Sequence, residues 1–254
     1  CGYEPVTEVF GNTPLVTLNK VPDGAKGTVL AKLEFYNPSS SVKDRLGIAM
    51  VDAAEKSGEL KPGGTLIEAT SGNTGISLAM VGAARGYKTI IVMPDSMSME
   101  RKILIRAYGA ELVLTPAAEG MKGSVAKADE LGRTIENAVM MRQFDNEAGP
   151  DIHRRTTAEE IWADTDGQVA ALVAGSGTGG TITGTSQRLT ELNPEIKSFV
   201  VQPASSPMLT GGDAAGHPLA GIGPNFIPSI LDTKSYDGVI SVENATAFEF
   251  ARRT

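Results

Sequence analysis

The chain reads as an α/β protein built on mostly parallel sheets, and two observations carry that reading. Apolar runs of strand length alternate with segments of helical periodicity through most of the 254 residues. The runs are apolar on nearly every residue rather than on every second one, as strands covered on both faces are.

Strands are expected at 28–34 (TVLAKLE), 65–69 (TLIEA), 88–94 (KTIIVMP), 110–116 (AELVLTP), 169–175 (VAALVAG), 197–203 (KSFVVQP) and 237–242 (DGVISV). Helices are expected at 43–58, 74–86, 97–108, 121–134, 154–163 and 181–192. Thr156 or Thr157 ahead of Glu159 and Glu160 marks a helix start, because a hydroxyl caps free amides and carboxylates suit the positive end of the helix dipole. Trp162, Met97, Met99 and Met121 read as core or interdomain packing. The longest loop expected is the glycine-rich stretch 211–224. Length and the loop near 145–151 suggest two domains, a smaller one at 44–148 and a larger one made of 1–43 with 149–254.

Composition narrows the function. The chain carries 23 basic and 30 acidic residues, a net charge of -7, with the basic residues scattered. Nucleic acid is therefore not an expected partner. No apolar run approaches the roughly 18 to 20 residues that cross a bilayer, so no membrane span is expected. One cysteine, Cys1, and two histidines, His153 and His217, give no disulfide pair and no Cys/His metal cluster, so no metal site is expected and a reducing cytoplasm fits. The opening CGYEPV has neither an initiator methionine nor a signal pattern, so processing or further residues upstream are expected.

Three short stretches could carry chemistry. The strand VAALVAG runs straight into SGTGGTITG (176–184) and a helix, so main-chain amides and the hydroxyls of Thr178 and Thr181 converge at a positive helix end, a cradle for phosphate. Gly175, Gly177 and Gly180 also satisfy G-x-G-x-x-G, but the next strand ends in Gln202 rather than in an acid for a ribose, which weighs against a dinucleotide. A purely structural turn is the third reading. The second stretch, TSGNTG (70–75), places Thr70, Ser71, Asn73 and Thr74 at a helix start, where they could bind a carboxylate or merely cap the helix.

The third is Lys43 in NPSSSVKDRLG, a cation at a helix start where the dipole disfavours it. A solvated lysine is the plain reading. With two anion-binding loops in the same chain, a Schiff base to a phosphate-bearing aldehyde is the sharper one. His153 reads as a helix-start residue and His217 as part of a surface loop.

In order along the chain, GNTPLV, NPSSSVKDR, LIEATSGNTGISLA, MPDSMSMERK, GAELVLTPAAEGMKGSVAKA, QFDN, TAEEIWADTDGQV, AGSGTGGTITG and GIGPNFIP resemble the fold-type II pyridoxal phosphate enzymes and, within them, the cysteine synthase (O-acetylserine sulfhydrylase) family. The resemblance implies two three-layer αβα domains of the tryptophan synthase β type. It implies that Lys43 holds pyridoxal 5'-phosphate as a Schiff base, that Asn73 bonds the ring O3′, and that Gly177, Thr178, Gly179, Gly180 and Thr181 bind the phosphate. Thr70, Ser71, Asn73, Thr74 and Gln143 would hold the substrate carboxylate. The implied reaction is a β-replacement through an aminoacrylate, in which O-acetyl-L-serine and sulfide give L-cysteine and acetate.

A cytoplasmic homodimer is implied as well, and with some relatives a serine acetyltransferase docks its tail in the pocket. Family members run on past ATAFEFARRT to a serine facing the pyridine nitrogen, which these residues do not include. Two other readings therefore stay open: a serine-using β-replacement or elimination like that of cystathionine β-synthase, and a catalytically silent cofactor-binding homologue.

Overall fold

The structure, a computed structural model, describes residues 5–22, 24–70 and 72–254. Its chain divides into two compact units, Cys1–Gly11 with Glu34–Ala148 and Asn12–Leu33 with Gly149–Thr254.

The first unit is built on four parallel strands, β3 (Thr65–Ala69), β4 (Lys88–Pro94), β5 (Glu111–Thr115) and β6 (Ala138–Met140), in the order β5-β4-β3-β6. Strand alternation sends Leu66, Ile91, Met93 and Val139 to one face, where they pack with α1 (Lys43–Ser57), α2 (Asn73–Arg85) and Ile105 of α3 (Met99–Ala107). Ile67, Ala69, Ile90 and Val92 face the other side, where Ala128 of α4 (Gly120–Thr134) covers them. This unit is therefore the three-layer sandwich expected. Helices α1 and α2 approach closely because position 47 is glycine: a Cβ there would collide with the Ser77 side chain.

The second unit has three parallel strands, β7 (Ala171–Gly175), β8 (Lys197–Pro203) and β9 (Gly238–Val242), paired in chain order. Leu172, Ala174, Val200 and Val239 pack under α6 (Ala158–Asp164) and α7 (Gly180–Leu192), while Val173 on the opposite face is 58% exposed. The terminal helix α8 (Asn244–Arg253) follows β9.

Four expectations need correction. The run at 28–34 yields only β2 (Leu30–Lys32), which pairs antiparallel with β1 (Leu15–Thr17) outside both parallel sheets. Thr156 and Thr157 do not cap a helix. The chain is already helical from α5 (Ala148–Ile152) and passes through a π-helical turn, His153–Thr157, into α6. The Thr156 hydroxyl turns back to the Ile152 carbonyl at 2.5 Å, a bond made from inside a helix. Met99 is 64% exposed and not part of the core. Finally, residues 5–11 and 34–43 group with the first unit rather than with the second.

Side-chain bonds account for that grouping. Gly11 donates its amide to Asn37 Oδ1 at 2.8 Å, and Arg45 grips Glu34 through Nε and Nη2 at 2.8 and 2.9 Å. Among the described residues no helix is long and apolar enough to cross a membrane.

Because the Arg45 side chain is fully buried, Glu34→Ala is expected to destabilise the protein by about 3 kcal/mol. Urea unfolding of wild type and variant measures the difference.

Candidate active site

Lys43 is the first residue of α1, and its neighbours explain why it stands apart. Asp44 beside it accepts both the amide (2.6 Å) and the hydroxyl of Ser39, and Arg45 is committed to Glu34. Burial nevertheless leaves the Asp44 carboxyl above its usual range, against the Ser39 bonds. Ser41 Oγ accepts the Lys43 amide at 3.1 Å, so the main chain at the helix start is held while the side chain is not. Among the described residues the Lys43 ammonium has no hydrogen bond or ion pair, and burial alone lowers its pKa. A buried amine that is easily deprotonated is a nucleophile for an aldehyde and a base for a carbon acid.

The substrate-loop residues lie in the same unit. Strand β3 ends at Ala69, Thr70 follows with its hydroxyl accepting the Gly72 amide at 3.2 Å, and α2 begins at Asn73 with no side chain capping it. The Gly75 amide bonds the Gly72 carbonyl at 3.1 Å, and among the described residues the Asn73 and Thr74 amides are left for an external anion. Asn73 is exposed and Thr74 buried. Thr74 Oγ1 donates to Gln143 Oε1 at 2.7 Å, which joins two of the five expected carboxylate ligands across 69 positions of sequence. Ser71, expected in the same set, lies outside the described residues.

The residues expected to bind the phosphate, Gly177, Thr178, Gly179, Gly180 and Thr181, belong to the second unit. Gly179, at φ +93°, is the N-cap of α7 and offers no side chain, so this helix start is also uncapped. The loop has no room for larger residues. A Cβ at Gly177 would collide with the Gly221 carbonyl oxygen, one at Gly179 would stand 2.8 Å from Leu231 Cβ, and one at Gly180 would stand 3.1 Å from the Gly149 carbonyl carbon. Gly223 donates its amide to the Ser176 carbonyl at 2.8 Å, tying the glycine-rich stretch to the loop. The buried Ser176 hydroxyl has no partner among the described residues. A narrow turn of bare amides beside buried hydroxyls fits a phosphate.

Two residues near these loops escaped the sequence reading. His153 is buried, with Nδ1 2.9 Å from Thr157 Oγ1 and Nε2 3.1 Å from Thr181 Oγ1, so it supports the Thr181 hydroxyl instead of starting a helix. Glu68 lies fully inside β3, where burial drives its carboxyl up to about 7. A glutamate among Leu66, Ile67 and Ala69 was the available signal. His217 bonds the Gly223 carbonyl through Nε2 at 2.8 Å, an inward bond from what reads as a surface loop.

The family is defined by these features together. Residues 6–254 match the family model described as pyridoxal-phosphate dependent enzyme, and the chain belongs to that family. Within it, the chain is 52% identical over 249 residues to the probable cysteine synthase of Bacillus subtilis, covering 97% of this chain and 80% of that protein. It superposes on the crystal structure of cysteine synthase from Entamoeba histolytica with a TM-score of 0.95 at 41% identity, covering 99% of this chain and 76% of that one. A hydrogen sulfide-producing enzyme of Fusobacterium nucleatum is similar as well, at 42% identity and a TM-score of 0.94, covering 99% and 85%.

Two predictions follow from this geometry. Gly177→Ala must push the loop off Gly221, and it is expected to weaken pyridoxal phosphate retention by roughly tenfold or more, the equivalent of about 1.4 kcal/mol, in an absorbance titration. The second concerns pH. Glu68 moves from 4.5 when unfolded to about 7 when folded, so the stability held by its neutral form is complete below 4.5 and lost as pH rises through 7. The loss is on the order of 3 kcal/mol. Urea unfolding of the apoprotein at several pH values should show this slope, and Glu68→Gln should flatten it.

Proposed function

We propose that the protein makes L-cysteine from O-acetyl-L-serine and sulfide by a pyridoxal phosphate-dependent β-replacement, with Lys43 as its catalytic residue. The observation that carries this reading is the buried, unpartnered Lys43 ammonium of lowered pKa, in a chain so similar to a probable cysteine synthase. Bound pyridoxal phosphate supplies the electron sink that acidifies the substrate Cα–H and lets the β-acetate depart.

The chain's own residues do the rest. Gly177, Thr178, Gly179, Gly180 and Thr181 hold the phosphate through main-chain amides and hydroxyls. Asn73 bonds the ring O3′. Thr70, Ser71, Asn73, Thr74 and Gln143, with the open start of α2, hold the substrate carboxylate and so point the Cα–H at Lys43. The Lys43 amine takes that proton at Nζ and returns it after sulfide has added to the β-carbon. Its lowered pKa leaves more of it unprotonated near neutral pH, as a base must be.

We further propose a cytoplasmic homodimer. A serine acetyltransferase tail is a proposed ligand of the same site, since a chain-terminal carboxylate presents the anion that the α2 start receives.

With pyridoxal phosphate the protein should be yellow, bleach with borohydride, and form cysteine from O-acetyl-L-serine and sulfide. Lys43→Ala should resist bleaching and lose activity by roughly a thousandfold, within the range for removing a general base. A colourless protein, or faster turnover of serine with homocysteine, would overturn the reading.

A further inference from the structure

Glu68 has no part in the chemistry above, yet it is the buried acid next to the substrate loop. Strand β6 pairs with β3 through Ile67↔Met140, and Met141 adds one more ladder bond, its amide to the Ile67 carbonyl at 3.0 Å. There the ladder stops. Arg142 turns into the left-handed region at φ +53°, a conformation uncommon for a non-glycine residue, and the following amide, that of Gln143, swings onto Glu68 Oε2 at 3.1 Å. From that anchor the Gln143 side chain reaches Thr74 Oγ1 at 2.7 Å. Glu68, Gln143 and Thr74 are all buried.

We propose that Glu68 is a positioning residue for substrate: its carboxylate accepts the Gln143 main-chain amide, holds the Gln143 side chain on Thr74, and thereby sets the site that receives the substrate carboxylate. The inference rests on the carboxylate-binding role assigned to Thr74 and Gln143 under the proposed function. A carboxylate is the stronger acceptor for the Gln143 amide, and protonation weakens that bond. The site is therefore organised when Glu68 is ionised and loosens as the group takes up a proton near pH 7.

The charges around Glu68 are few. Arg142 favours its ionised form and Asp145 opposes it, while the Gln143 and Ala69 amides stabilise the carboxylate against its desolvation. On the same sheet face, α1 brings Lys43, Asp44 held by Ser39, Arg45 paired with Glu34, and Asp52 and Glu55, both paired with Arg85 of α2.

The test uses the enzyme loaded with pyridoxal phosphate and omits sulfide, whose own ionisation would intrude. L-serine, which carries the substrate carboxylate, is titrated by the change in cofactor absorbance across about pH 6 to 8.5, a span centred near the Glu68 value of about 7. In the wild type, binding should weaken as pH falls through 7. In Glu68→Gln that inflection should vanish, and at pH 8 the KM for O-acetyl-L-serine should rise roughly three- to tenfold with kcat little changed, the signature of lost ground-state binding.

Glu68→Asp, whose shorter carboxylate still titrates, should raise KM while keeping an inflection, and it serves if the glutamine variant does not fold. An unchanged inflection with wild-type KM in Glu68→Gln, or in Glu68→Asp where that one serves, overturns the proposal, as does a fall in kcat alone. If the wild type itself forms no cysteine, the functional reading fails instead, and the two failures are told apart by that control.

Discussion

The structure turns on one unneutralised charge. A lysine at a helix start opposes the dipole, and burial adds a desolvation cost that an ion pair would normally offset. Among the described residues, ion-pair and hydrogen-bond partners meet the side chains next to Lys43 and none meets its ammonium. Ser39 occupies Asp44, the nearest acid, and Glu34 occupies Arg45. The arrangement makes sense if the amine is to be neutral and reactive, because a carboxylate at hand would hold it protonated.

The same economy governs the two helix starts. Helices α2 and α7 begin without a side-chain cap, although Asn73 and Thr74 stand at the start of α2 and Thr178 and Thr181 within two residues of the start of α7. Self-capping would satisfy the first-turn amides internally and close them to an anion. At α7 the loop is kept bare by sterics, since Gly177 lies against Gly221 and Gly179 adopts a left-handed conformation against Leu231. At α2 the Thr70 hydroxyl accepts the Gly72 amide and the Gly72 carbonyl accepts the Gly75 amide, which shapes the loop and, among the described residues, leaves the Asn73 and Thr74 amides open.

Much of this was legible in the sequence. The apolar runs located β3, β4 and β8 residue for residue, because largely buried parallel strands carry clustered apolar residues. Strand β6 went unseen: Ala138–Met140 is three residues long on the sheet edge, too short to show periodicity. Thr156 and Thr157 misled because hydroxyls favour caps in general, whereas here a π turn directs them back along a helix already begun. That turn also brings His153 to Thr181, a contact between residues 28 apart that no local pattern encodes. The proposed ligands around Thr74 were legible as a motif, but the Gln143 contact depends on β6 and on the turn at Arg142.

Glu68 shows why such a group persists. An apolar residue at this position would remove the desolvation cost and continue the strand's pattern, yet it would leave the buried Gln143 amide without its acceptor and free the turn at Arg142 to relax. Main-chain pairing cannot substitute, because β6 has already left the ladder after Met141. A side-chain acceptor reaching out of β3 is therefore the remaining way to fix where Gln143 points. A carboxylate does this most strongly and at the greatest cost in stability, and sites that hold a substrate commonly carry such local strain.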